Sequence, residues 1–92
     1  MKKIINDPFT ILLPHLDLHG ETYETMEYQI NSFIKDNYLL KNERVVIIHG
    51  RSGNVLKRET QNVLKNNSIV KNYFIDPSND GQTIVEIKMK EN

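Results

Sequence analysis

Cysteine is absent from the 92 residues, so disulfides, thiolate metal sites and cysteine nucleophiles are excluded before any motif is considered. The hydrophobic core must hold the fold unaided. Alanine is absent too, while Asn, Lys and Ile are abundant, a bias that fits an AT-rich coding sequence and carries no functional weight. There is no excess charge of either sign. Twelve basic and twelve acidic side chains cancel, which argues against a molecule that grips nucleic acid with its whole surface and requires any polyanion site to be local. Long apolar runs are missing as well. Met1-Lys2-Lys3-Ile4-Ile5 starts like an export signal, but Asn6, Asp7 and Pro8 end the run far too early. The expectation is a soluble cytoplasmic protein with no membrane attachment. A chain of this length has room for one domain and one modest core, because it buries only about 60 to 65% of its unfolded surface.

What is present is regular patterning. Residues 1–14 carry apolar patches at Ile4-Ile5 and from Phe9 to Leu13, broken by Asp7-Pro8 and closed by Pro14, and read as an arm lying against the body. The domain proper is expected over 15–90. From His15 the pattern alternates, with Leu16 and Leu18 on one face and His15, Asp17 and His19 on the other, as in a half-buried strand ending at Gly20. That spacing places the Asp17 carboxylate beside the His19 imidazole. Tyr23, Met26, Ile30, Phe33, Ile34 and Tyr38 then recur at helical spacing behind Thr22 as N-cap, predicting an amphipathic helix of about 16 residues. Val45-Val46-Ile47-Ile48 is a continuous β-branched run, typical of a strand covered on both sides or central in a sheet. A second helix is expected from Asn54 to Lys65, burying Leu56, Val63 and Leu64, with Thr60 between them. Val70 to Ile75 reads as a third strand, Asp76 to Gly81 as a turn, and Thr83 to Lys90 as a fourth strand with Val85, Ile87 and Met89 inward. The resulting order is β-α-β-α-β-β, an α/β fold.

Two strand–His-Gly–helix turns stand out, Leu16 to Gly20 and Ile47 to Gly50. In open α/β sheets ligands gather beyond the C-terminal ends of parallel strands, where loops converge and helix N-termini aim free N–H groups outward. Gly20, Gly50 and Gly53 let the backbone approach a ligand, and phosphate suits such a cradle. Arg51, Lys57 and Arg58 put the one locally basic stretch beside the second turn. Asp17 and His19 provide a carboxylate and a base near neutral pH, the pair that phosphodiester cleavage requires. His49 is a candidate complementary acid or phosphate ligand. His15 and His19 on one strand lie about 13 Å apart, too far to share one ion. No metal site or required cofactor is therefore expected, and a loosely held divalent cation at Asp17 stays open. The Tyr23–Tyr38 stripe reads as core rather than as a base-stacking platform.

Three motifs in order carry a family resemblance. They are Leu16-Asp17-Leu18-His19-Gly20 with Thr22 and Glu24, then Val46 to Lys57 with its His49-Gly50-Arg51-Ser52-Gly53 turn, then Gly81-Gln82-Thr83-Ile84-Val85. Over about Leu16 to Lys88 the chain resembles the Smr domain, the small MutS-related module, as a stand-alone single-domain member. The resemblance implies a two-layer sandwich with a mixed four-stranded sheet, like the C-terminal domain of bacterial initiation factor three. It also implies nicking or cleavage of RNA or DNA. By it Asp17 and His19 become the catalytic candidates, and His49, Gly50, Arg51, Ser52, Gly53 and Lys57 the substrate-binding ones. Some relatives carry Arg where His19 stands, so His favours the cleaving branch. Ser52 departs from the usual second glycine of the His-Gly-x-Gly turn, which shifts the cradle or offers a hydroxyl to phosphate.

The first expectation is thus an endonuclease, monomeric, favouring RNA or single strands. A non-cleaving module that binds nucleic acid or the ribosome is the alternative. A protein-interaction domain using the apolar arm is a third.

Overall fold

The computed structural model describes residues 12–51 and 54–89. The arm expected at 1–14 lies outside them up to residue 11, as do Ser52, Gly53 and Lys90. Strand β1 (His15–Asp17) is followed by helix α1 (Tyr23–Leu39), β2 (Arg44–Ile48), α2 (Asn54–Lys65), β3 (Val70–Asp76) and β4 (Asn79–Ile87), the order anticipated from the pattern.

The strands form one mixed sheet in the order β1-β2-β4-β3. β1 runs parallel to β2, pairing His15 with Val46, Leu16 with Ile47 and Asp17 with Ile48. β4 runs antiparallel to both neighbours, placing Ile47 opposite Thr83 and Ile75 opposite Thr83 from the other side. Side chains alternate along each strand. Val45 and Ile47 of β2, with Val85 and Ile87 of β4, thus face the helices and join Leu18, Met26, Ile30, Ile34 and Leu64 in one buried cluster. The two helices pack on each other and on this face, giving two layers. Val46 and Ile84, paired on the opposite face, are buried too. This explains why the interior strand β2 is apolar without alternation.

Local chemistry accounts for the element ends. The Thr22 N–H donates to Thr25 Oγ1 at 3.2 Å, and that hydroxyl donates to Glu21 Oε1 at 2.6 Å, satisfying the start of α1. At its other end no glycine is available, and Lys41 takes the left-handed conformation (φ 64°). The turn is held instead by buried Asn37, whose Nδ2 donates to the Phe33 carbonyl at 2.8 Å and whose Oδ1 accepts from Asn42 Nδ2 at 2.8 Å.

Three expectations need correction. Tyr23 is not part of the core face but 56% exposed, at the first residue of α1. The expected six-residue turn at 76–81 shrinks to Pro77-Ser78. Asp76 Oδ1 accepts from the Ser78 N–H (2.9 Å) and Oγ (2.8 Å), which lets pairing continue to Asp76 and Asn79. Met89, expected inward, lies beyond the end of β4 and is exposed.

Candidate functional site

Parallel pairing of β1 with β2 brings the two His-Gly turns to the same sheet edge. Beyond the last paired residues the Leu18 N–H still reaches the Ile48 carbonyl at 2.9 Å, so both chains leave the sheet side by side. The Glu21 N–H then closes a turn on the Leu18 carbonyl at 2.9 Å with Gly20 at φ 86°, and Gly50 leaves β2 at φ 92°. Both values lie where a Cβ is disfavoured.

In the first turn Asp17 and His19 are exposed. Asp17 Oδ1 accepts the backbone N–H of His19 at 2.9 Å, so the carboxylate grips the main chain rather than the imidazole as the spacing suggested. The geometric reason is that an Asp side chain reaches the N–H two residues on more readily than a ring beyond it. The His19 imidazole has no hydrogen-bond partner among the described residues.

The second turn is built differently. His49 is only 4% exposed. Its Nε2 lies 2.8 Å from Thr83 Oγ1 on β4, its Nδ1 lies 3.1 Å from the Gly50 carbonyl, and Gln61 Nε2 of α2 donates to Thr83 Oγ1 at 2.9 Å. Burial pushes the His49 imidazole below its ordinary proton affinity. The Gly50 hydrogen bond opposes this, the Lys57 charge adds to it, and Asp80 opposes it. A ring with both nitrogens engaged inside the fold is a brace for the turn.

Arg51 is exposed, with Nε 3.4 Å from Asp80 Oδ1 on β4. Lys57 on the first turn of α2 is half-buried, near enough to His49 for its charge to be felt. Ser52 and Gly53 lie outside the described residues. Among the described residues no three His, Asp or Glu side chains converge as metal ligands, and no helix is long and apolar enough to cross a membrane. Every buried side-chain nitrogen and oxygen described has a partner.

Sequence reasoning missed Gln61 and Asp80 and gave Thr83 no role of its own. The signal for Thr83 lay in the third motif, which delivers it opposite Ile47, two residues before His49. Gln61 carried no local signal.

Comparison with known proteins follows the same boundaries. The profile of the family described as Smr domain matches residues 16–88. Endonuclease MutS2 of a Geobacillus species is 40% identical over 76 residues, which is 79% of this chain and 10% of that protein. Endonuclease MutS2 of Caldanaerobacter subterraneus is 33% identical over 88 residues, 92% of this chain and 11% of that protein. The chain therefore spans about a tenth of the length of these curated relatives. Among solved structures, the Smr domain of Thermus thermophilus MutS2 superposes with a TM-score of 0.78 at 18% identity, covering 83% of this chain and 99% of that one. YdaL, a stand-alone small MutS-related protein from Escherichia coli, superposes at 0.75 with 20% identity, covering 80% and 63%. At those identities the likeness establishes the fold, a mixed four-stranded sheet with two helices.

Proposed function

The chain belongs to the Smr domain family, and from that premise we propose that it is a phosphodiester-cleaving domain acting on RNA or single-stranded nucleic acid. The observation that carries this reading is the pairing of β1 with β2, which sets exposed Asp17 and His19 beside the Gly50-Arg51 turn. His19, its imidazole unengaged, takes a proton from water or a ribose 2′-hydroxyl as that oxygen bonds to phosphorus, and the opposite phosphorus–oxygen bond breaks, its departing oxygen taking a proton from solvent. Asp17 fixes the His19 main chain through its N–H and supplies negative charge that favours the imidazolium as it forms. Gly50, Arg51 and Lys57 hold phosphate, with Ser52 and Gly53 as further candidates from the sequence, while His49 braces the Gly50 turn.

The reading is tested by comparing the wild-type chain with His19→Ala on end-labelled RNA, single-stranded DNA and duplex DNA, with and without chelator. Cleavage by the wild type that His19→Ala abolishes supports it. Equal cutting by both points to a contaminating nuclease and sinks it. Chelator sensitivity reports whether a divalent cation at Asp17 takes part.

One observation favours a second reading. Because the Asp17 carboxylate is spent on main chain, the acid–base pair is not preassembled, as suits a module that binds structured RNA or the ribosome without cutting. In that case the wild type cuts nothing, and binding survives His19→Ala but falls with Arg51→Glu.

A further inference from the structure

Gln61 of α2, Thr83 of β4 and the adjacent His49 and Gly50 after β2 come from three separate segments and meet in one unbranched chain of hydrogen bonds. Its direction follows from what each atom can do. The Gly50 carbonyl can only accept, so His49 Nδ1 carries the hydrogen of that contact. The Gln61 amide nitrogen can only donate, so it occupies a lone pair of Thr83 Oγ1. The hydroxyl proton is then free to point at His49 Nε2, which in a neutral ring already protonated at Nδ1 is a bare acceptor. Each donor meets an acceptor from Gln61 to Gly50, and no member is left unsatisfied.

We propose that Gln61 and Thr83 are positioning residues for the Gly50-Arg51 turn, read above as holding phosphate. Gln61 sets the direction of the Thr83 hydroxyl, the hydroxyl sets the tautomer of His49, and that tautomer anchors the Gly50 carbonyl toward the core. In a trans peptide the N–H points opposite to the carbonyl. Anchoring the Gly50 carbonyl on the buried ring therefore turns the Arg51 N–H away from it. That N–H has no hydrogen-bond partner among the described residues, and the Arg51 side chain is 71% exposed, so in this proposal a phosphate oxygen bound by the guanidinium is also offered a main-chain donor. The charged groups acting on the ring are Lys57 from α2 and Asp80 from β4. One opposes and one favours the imidazolium, so neither decides the tautomer, which is left to the hydroxyl and the carbonyl. The proposal rests on the reading of this edge as a phosphate site, yet its core claim concerns the protein alone.

The test is nitrogen-15 NMR of the His49 ring in the full chain. The wild type should show Nδ1 protonated and Nε2 bare above its titration. Gln61→Glu replaces a donor by an acceptor, turns the Thr83 hydroxyl away from Nε2, and should raise the His49 midpoint by about one pH unit or more. Part of any rise is the new charge acting through space, so the same substitution is made in a Thr83→Val background, where no hydroxyl can transmit it. There the rise should fall to less than half. An equal rise in both backgrounds, or a wild-type ring protonated at Nε2, overturns the relay. If Thr83→Val does not fold, Thr83→Ser takes its place in the wild-type Gln61 background and should preserve the tautomer and the Arg51 amide shift. A changed tautomer there also overturns the relay. Titration with a single-stranded oligonucleotide then joins the relay to function. Gln61→Glu should weaken binding about tenfold and Thr83→Ser should not. If the ring measurements come out as stated and the wild type binds no oligonucleotide, the functional reading fails while the relay stands.

Discussion

The amide of Gly50 and the carbonyl of Gly81 lie 2.8 Å apart, and the same carbonyl also accepts the His49 N–H at 3.0 Å. The turn after β2 is therefore pinned to β4 by main chain as well as through the His49 ring. A Cβ at Gly81 would meet Arg51 Cγ at 3.1 Å and Arg51 N at 3.3 Å. The Arg51 side chain can swing aside, but its backbone nitrogen cannot without stretching that pair of bonds. Gly81→Ala should cost about 1–2 kcal/mol of stability, read as a lower urea midpoint, and should weaken oligonucleotide binding. An unchanged midpoint would show that the turn yields freely.

Stability should depend on pH through His49. Burial lowers its folded proton affinity below the ordinary 6.5, so on acidification the unfolded chain takes up this proton before the folded one does. The contribution is complete above 6.5, falls as pH drops from there toward the lowered folded value, and stops falling below it. Urea midpoints of the wild type should decline through that window, and His49→Gln should be less stable overall but lack this part of the slope. A wild-type midpoint that stays level would show that the folded ring protonates as readily as a free one.

Arg51 and Asp80 form a pair whose side chains are 71% and 65% exposed, so breaking it changes stability little. Arg51→Gln and Lys57→Gln should leave the urea midpoint nearly unchanged. Each should reduce the slope of log affinity against log salt by about one. Slopes equal to wild type would remove these two side chains from the phosphate contacts.

At Asp17 charge and geometry separate cleanly. Asp17→Asn keeps an oxygen for the His19 N–H and loses the charge, so the turn should persist while cleavage falls. Asp17→Ala also loses the hydrogen bond, at a cost of about 1 kcal/mol. Cleavage rates for both, set beside their His19 amide exchange rates, distinguish the two contributions. If Asp17→Asn cleaves as well as wild type, the carboxylate acts only through main chain.

Much of this was legible in the residues. Met26, Ile30 and Ile34 recur at helical spacing, and all three are buried. Val45 to Ile47 is uniformly apolar and belongs to an interior strand. The span of α2 could be read from Asn54 to Lys65. Tyr23 misled because helical spacing reports the face of a helix, while burial at its first residue also depends on what the rest of the fold packs there. At the tip of the hairpin, the Asp76 side chain supplied turn contacts that composition alone would have assigned to a longer loop.

Legibility of the site divided along the same line. Asp17, His19 and Gly20 sit in one short segment whose alternation, turn and exposure follow from neighbours a few residues away, and the motifs there identified the family. His49 was recognised as important, but its task was not visible, because the hydroxyl it needs stands 34 residues further along the chain. Hydrophobic periodicity is a property of adjacent residues, so the sequence by itself determined the elements, their order and the two His-Gly turns. Which strand lies beside which is settled only when all elements bury their apolar faces together. That collective packing put β4 against β2 and enclosed the His49 ring, leaving Asp17 and His19 exposed on one turn while the other is braced from within.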